Sequence, residues 1–122
     1  VEVEEHPIFS RDGDDLLCEF PISFAQAALG ATVEVPTLKE KVRLKIPAGT
    51  QSGSLFRLRG KGITSLRGYG QGDLIVRVVV EIPTKLTAKQ KELIEKLAEI
   101  SGKDTGPLSQ SFLEKVKKVF GG

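Results

Sequence analysis

The sequence predicts a mainly β chain: an antiparallel β scaffold with one short helix, followed by a helical C-terminal segment. Three observations predict it. Apolar residues recur at every second position through Leu16–Ile22, Val42–Ile46 and Leu74–Ile82, the pattern of strands that bury one face. Glycines and other turn formers punctuate these runs, densest from Gly60 to Gly72. After Pro83-Thr84 the apolar period changes from two to that of a helix.

Each element has a local reason. Val1-Glu-Val-Glu-Glu5 alternates as a strand, or as the end of one that begins upstream, and His6-Pro7 stops it. Arg11-Asp-Gly-Asp-Asp15 is a turn, because Asp and Gly tolerate the positive φ of tight connections. Leu16, Cys18, Phe20 and Ile22 share one face of the next strand. Pro21 makes that strand an edge or ends it there. Phe24–Leu29 holds good helix formers, with Ser23 placed to cap its start and Gly30 to end it in the left-handed region. Val33 and Val35 alternate with Thr32 and Glu34, and a hairpin turn follows at Lys39-Glu40. Val42, Leu44 and Ile46 then oppose Lys41, Arg43 and Lys45, a half-buried strand with a basic outer face. Leu55–Leu58 continues the pattern. Leu74, Val76, Val78, Val80 and Ile82 form the longest stripe, expected at the centre of a sheet. Thr87 and Gln90 have capping-box spacing before a helix striped by Leu93, Ile94, Leu97 and Ile100, with Glu92 and Lys96 paired at i,i+4. Residues 101–107 read as a linker. Ser109 is expected to cap a last helix that carries Phe112, Leu113, Val116, Val119 and Phe120 on one side, with Lys115, Lys117 and Lys118 near its negative end.

The totals exclude several function classes. The 122 residues amount to one domain with a small appendage, and 39% hydrophobic content supports one core of Val, Leu and Ile without Trp. A chain of this size buries about two-thirds of its unfolded surface, so it needs neither disulfide nor metal to fold. Cys18 is the only cysteine, which rules out an intrachain disulfide and fits a reducing, cytoplasmic compartment. No apolar run reaches the roughly 20 residues of a membrane span, and no signal peptide is expected from these residues. The chain starts with Val, within residues that already alternate, and reads as a fragment of a longer protein. Eighteen basic residues against sixteen acidic ones give a net charge of +2, which weighs against nucleic acid as a partner.

No catalytic constellation stands out. His6 is the only histidine, and no third group orients a Cys18–His6 pair. Cys18 lies on an apolar face and reads as core. Asp12, Asp14 and Asp15 lack the spacing and the glutamate of a calcium loop. The glycine-rich segment 60–72 is followed by a strand, whereas a phosphate loop must open a helix. Arg57, Arg59, Lys61 and Arg67 with Tyr69 offer a phosphate- or RNA-binding patch, weighed against an ordinary solvated face. The two C-terminal helices must bury their stripes either on their own domain or against a second copy related by a two-fold axis.

The ordered motifs are more specific than any single residue. His6-Pro-Ile-Phe9, Arg11-Asp-Gly-Asp-Asp-Leu16 and Pro21-Ile-Ser-Phe-Ala-Gln-Ala-Ala-Leu-Gly30 come first. Val33-Glu-Val-Pro-Thr-Leu38, Ile46-Pro-Ala-Gly-Thr-Gln51 and Phe56-Arg-Leu-Arg-Gly-Lys-Gly62 follow. Arg67-Gly-Tyr-Gly70 and Gly72-Asp-Leu74 complete the set. Over about residues 1–100 this series resembles the C-terminal part of bacterial DnaJ-type J-domain co-chaperones: their second β-subdomain plus dimerisation segment. The resemblance implies an antiparallel β-sandwich with one short helix over residues 1–83 and a helical dimerisation segment over 84–122. It also implies a non-enzymatic chaperone that holds unfolded polypeptide, forms homodimers and delivers clients to a DnaK-type ATPase chaperone. By similarity to the family's preceding subdomain, Cys18, Phe20, Val33 and Val35 are the expected client-contact residues. Leu93, Ile94, Leu97, Phe112, Leu113, Val116 and Phe120 are the expected dimerisation residues. The His-Pro-Asp of a J domain and the Cys-x-x-Cys zinc module are both missing, so neither ATPase stimulation nor a cofactor is expected of this fragment. A purely structural spacer and dimerisation domain is the alternative reading.

Overall fold

The computed structural model describes residues 8–64, 70–101 and 106–121. The expectations placed on Val1–Glu5, His6, Arg67 and Tyr69, and most of those on the 101–107 linker, lie outside these residues. The chain divides into two compact units, one ending at Pro83 and the other beginning at Thr84.

The first unit is a β-sandwich. Strands β1 (Phe9–Asp12), β2 (Asp15–Ser23), β5 (Leu55–Leu58) and β6 (Leu74–Glu81) form one sheet in the order β1-β2-β6-β5. Strands β3 (Ala31–Pro36) and β4 (Lys41–Ile46) form a separate antiparallel hairpin. Period-two alternation sends one side chain in two inward from each sheet. Leu16, Cys18, Ile22, Leu74, Val76 and Val78 from the larger sheet thereby join Val33, Val35, Leu44 and Ile46 from the hairpin in a single core. Each fully buried aliphatic side chain there contributes about 1.5–3 kcal/mol of transfer free energy.

The mainly β class stands, with one pairing that alternation alone did not reveal. β2 and β6 run parallel, from Leu16 opposite Leu74 to Ser23 opposite Glu81, so the larger sheet is mixed. β6 lies between β2 and β5, which explains its nearly continuous apolar run: Leu74, Val76 and Val78 are fully buried, and Ile75 and Val79 are half-buried on the other face. The stripe stops short of Ile82, which is outside the strand and exposed. Pro21 neither ends β2 nor costs a ladder bond. The Leu16 amide donates to the Asp73 carbonyl at 2.9 Å. Even-numbered amides of β2 therefore face β6, and Pro21 falls in the opposite row.

Helix α1 (Phe24–Leu29) starts at a capping box, in which Ser23 and Gln26 exchange side-chain and backbone hydrogen bonds. Its last carbonyls would be orphaned without a partner. Ala27 O accepts from the amides of Gly49 and Thr50 at 2.9 and 3.0 Å, which docks the loop after β4 onto the helix end. Gly30 leaves the helix at φ 84° and ψ 154°, not in the expected left-handed helical region. A side chain there would press on Ile46 and Ala48 backbone.

The opening of β6 is pinned by backbone. Ile63 N donates to Asp14 O at 2.8 Å, Gly62 N donates to Gly72 O at 2.9 Å, and Gly72 N donates to Ile63 O at 2.9 Å. Asp73 N donates to the Asp15 carboxylate at 2.7 Å. The Asp73 carboxylate accepts from Gly60 N at 2.9 Å and from Arg57 at 2.6 Å. These two contacts, the Gly60 amide first, hold its pKa below the ordinary carboxylate value.

The second unit consists of α2 (Ala88–Ser101) and α3 (Pro107–Val119). Thr87 and Gln90 form the expected capping box, and Glu92 reaches Lys96 at 4.0 Å. Helix α3 begins earlier than Ser109. Gly106 is its N-cap and Pro107 occupies the first turn, where a missing amide removes no bond.

Two predictions follow from the pinning. Gly72→Ala places a Cβ on the Asp14 carbonyl and should lower stability by at least about 3 kcal/mol. Gly13→Ala meets no atom and pays only for its φ of 64°, about 1–2 kcal/mol. Urea denaturation of both variants measures the difference. The contribution of ionised Asp73 is present above its unfolded pKa of about 4 and is lost as pH falls through its lower folded value. Asp73→Asn should therefore destabilise the chain at pH 7, and the gap to the native sequence should narrow in acid. A gap independent of pH would contradict this role.

Candidate functional site

The four residues expected at a client groove occupy two facing sheets. Cys18, Val33 and Val35 are buried in the core, and Phe20 packs against that core with part of its surface open. Burial, with Glu19 as a lesser cause, pushes the Cys18 thiol above its ordinary pKa. It therefore stays protonated near neutrality, a packing group rather than a nucleophile. What the β3 segment offers outward is backbone. Among the described residues β3 pairs only with β4, which leaves the other edge of Ala31–Pro36 with amides and carbonyls that an added strand could use.

An apolar groove beside α1 was not anticipated from the sequence. It has a volume of about 420 Å³, and Phe24, Ala27, Ala28 and Val80 contribute its apolar lining, with Gly49–Ser52 as the opposite wall. Phe24 and Ala28 lie one helical turn apart on one face, and Phe24 is 49% exposed. The six-residue helix carries both Phe24 and Leu29 yet buries only Ala27, which leaves these apolar side chains exposed.

The expected dimerisation residues fall on the two helices of the second unit, with Phe120 as the C-cap of α3. Leu93, Ile94 and Leu97 with Ile100 cover about 120° of α2. Phe112, Leu113 and Val116, with Leu108, Val119 and Phe120, cover about 140° of the α3 segment. Neither helix buries a residue. Phe112 is 65% and Phe120 81% exposed, and only Val116 among the expected set is half-buried.

The basic cluster is largely committed to carboxylates. Arg57 binds Asp73 at 2.6 Å and Lys61 binds Glu40 at 2.8 Å, while Arg59 is exposed. Among the described residues no group of three or more His, Cys, Asp or Glu could hold a metal ion. No described helix is long and apolar enough to cross a membrane.

Comparison with known proteins identifies the family. Residues 1–83 match the DnaJ C terminal domain, and residues 89–122 match the chaperone protein DnaJ C-terminal region. The chain is 58% identical over 120 residues to the chaperone protein DnaJ of Bacillus velezensis, covering 98% of this chain and 32% of that protein. It is 57% identical to that of Opitutus terrae, over 98% of this chain and 31% of the relative. It is 51% identical to that of Syntrophotalea carbinolica, over 99% and 32%. The chain thus spans about a third of the length of the curated relatives it matches. Matched along nearly its whole length, the chain belongs to the DnaJ C-terminal domain family.

Proposed function

We propose that the chain is a non-enzymatic chaperone module that holds unfolded polypeptide on its β unit and joins a second copy through its helices. In the full-length protein the held client passes to a DnaK-type ATPase chaperone. The observation that carries this reading is that neither α2 nor α3 buries a residue among those described. Two amphipathic stripes of Leu, Ile, Phe and Val remain exposed, and such stripes are stable in water only against another apolar surface. A second copy supplies the same stripes by symmetry. Leu93, Ile94, Leu97, Phe112, Leu113, Val116 and Phe120 form that contact.

On the β unit, an extended client segment adds to the edge of β3 beside Val33 and Val35 and reaches Phe20. The buried Cys18 and Val35 serve this by stiffening the strands they belong to. Main-chain bonds give affinity without demanding a sequence, and apolar hollows such as that of Phe24 take alternate side chains. Two β units on one dimer hold one long client with avidity.

Two outcomes test the reading. In sedimentation equilibrium the whole chain should behave as a dimer, and Phe112→Asp with Leu113→Asp should return it to a monomer. Residues 1–84 alone, which contain the entire buried core, should fold as a monomer; a dimer there removes the helices from the contact. In an amide-shift titration with a permanently unfolded, apolar-rich polypeptide, shifts should gather at Phe20, Val33–Val35 and Phe24. Phe24→Ala should weaken binding roughly three- to tenfold, the loss of one partly buried aromatic contact. Absence of shifts throughout the β unit would leave only the spacer and dimerisation roles.

A further inference from the structure

A second groove, of about 490 Å³, lies between the tip of the β3–β4 hairpin and the glycine-rich loop after β5. That is within the roughly 300–1,000 Å³ of ligand sites. Leu38 and Ile63 give it apolar lining, and Arg11, Lys39 and Lys61 line it beside them, with Glu40 as the only carboxylate among the described lining residues. Lys39 makes no ion pair among the described residues. Both walls are fixed in advance. On one side Thr37 Oγ1 donates to Glu40 O at 2.6 Å and accepts from Glu40 N at 3.0 Å. On the other side the amides of Gly62 and Ile63 bind Gly72 O and Asp14 O at 2.9 and 2.8 Å. A preorganised wall loses little entropy when a ligand enters.

The Lys61–Glu40 ion pair bridges the two walls at 2.8 Å. Lys61, by hydrogen bond first and charge second, holds the Glu40 carboxyl below its ordinary pKa. Glu40 is thus a carboxylate that the protein itself supplies to a cation of the groove. A neighbouring chain with carboxylates at the right spacing meets three cations: Lys39, which has no ion pair among the described residues, Lys61, which Glu40 holds, and Arg11, which donates to Gly13 O at 2.7 Å and lies 3.9 Å from the Asp14 carboxylate.

We infer that this groove binds an acidic, extended segment of client polypeptide in which carboxylates alternate with apolar residues, and that Glu40 competes with the client for Lys61. The inference rests on the reading of the β unit as polypeptide-holding, and gives it a chemical preference at a place separate from the β3 edge. Carboxylates of the segment pair with Lys39, Lys61 and Arg11, and its apolar residues cover Leu38 and Ile63.

The test is an amide-shift titration of the whole chain with an eight-residue peptide alternating aspartate and leucine, beside the same peptide with asparagine for aspartate. The acidic peptide should shift the amides of Lys39, Lys61 and Ile63, and should weaken as salt rises. Lys39→Glu should weaken it roughly five- to tenfold and Glu40→Gln should tighten it roughly threefold, from partly exposed charge contacts. Both positions lie in an exposed turn whose Thr37 bonds use main-chain atoms of Glu40, so unchanged spectra of the free variants confirm that the fold is intact. Opposite signs from adjacent substitutions are the signature. Equal shifts from the asparagine peptide at this groove, or no response to either substitution, would overturn the inference. Shifts from the asparagine peptide only at Phe20, Val33 and Phe24, with none at the groove from the acidic one, would overturn it while leaving the polypeptide-holding function intact. Silence from both peptides everywhere on the β unit would defeat both.

Discussion

The sandwich depends on where β6 begins. Three segments far apart in the chain meet there with no room for side chains: the β1–β2 turn at Asp14, the loop residue Gly62, and Gly72. Asp14 O receives the Ile63 amide, the Asp15 carboxylate receives the Asp73 amide, and Leu16 N reaches Asp73 O. These bonds place Leu74 opposite Leu16 and so set the parallel register of β2 and β6 over its full length. A slip of one residue would turn every buried Val of β6 to solvent. The same bonds hold the wall of the cationic groove, so the core register and this surface feature share one cause.

Much of this was legible in the residues. Alternation located β2, β3, β4, β5 and β6, and found the inward faces of all but β5, whose Leu55 is exposed. It missed β1: Arg11 to Asp15 reads as a turn, but Arg11 and Asp12 pair with Leu16 and Asp15, and this short polar strand carries no alternation to announce it. Ser23 with Gln26 and Thr87 with Gln90 announced two helix starts through reciprocal capping, a local chemistry that needs no tertiary context. The direction of β2 against β6 was not legible, because a period of two is the same in parallel and antiparallel pairs. Only the near-continuity of Leu74–Val80 hinted at a central strand. Gly106-Pro107 outcompeted Ser109 as a helix start because proline at the first turn is preorganised for it.

The candidate sites were less legible than the fold. Cys18, Val33 and Val35 were named through family resemblance, and their burial gives them a part in shaping strands. The grooves beside Phe24 and Lys39 are made by loops that meet across the fold, and no spacing along the chain encodes such a meeting. The exposed helical stripes, by contrast, are purely local in origin and were readable from the helical period alone. Their lack of any buried residue is what the structure adds. The two units therefore divide the labour in physical terms. The β unit buries its own core and carries edges and grooves around its rim, and the helices of the second unit leave their apolar stripes exposed.

The most direct test of a polypeptide-holding β unit is amide hydrogen exchange on the whole chain, with and without a saturating unfolded polypeptide. Added protection is expected in β3, residues 31–36, where a new strand would occupy amides that β4 leaves open, with little change in the already buried β6. Unchanged exchange along β3 in the presence of bound polypeptide would contradict it.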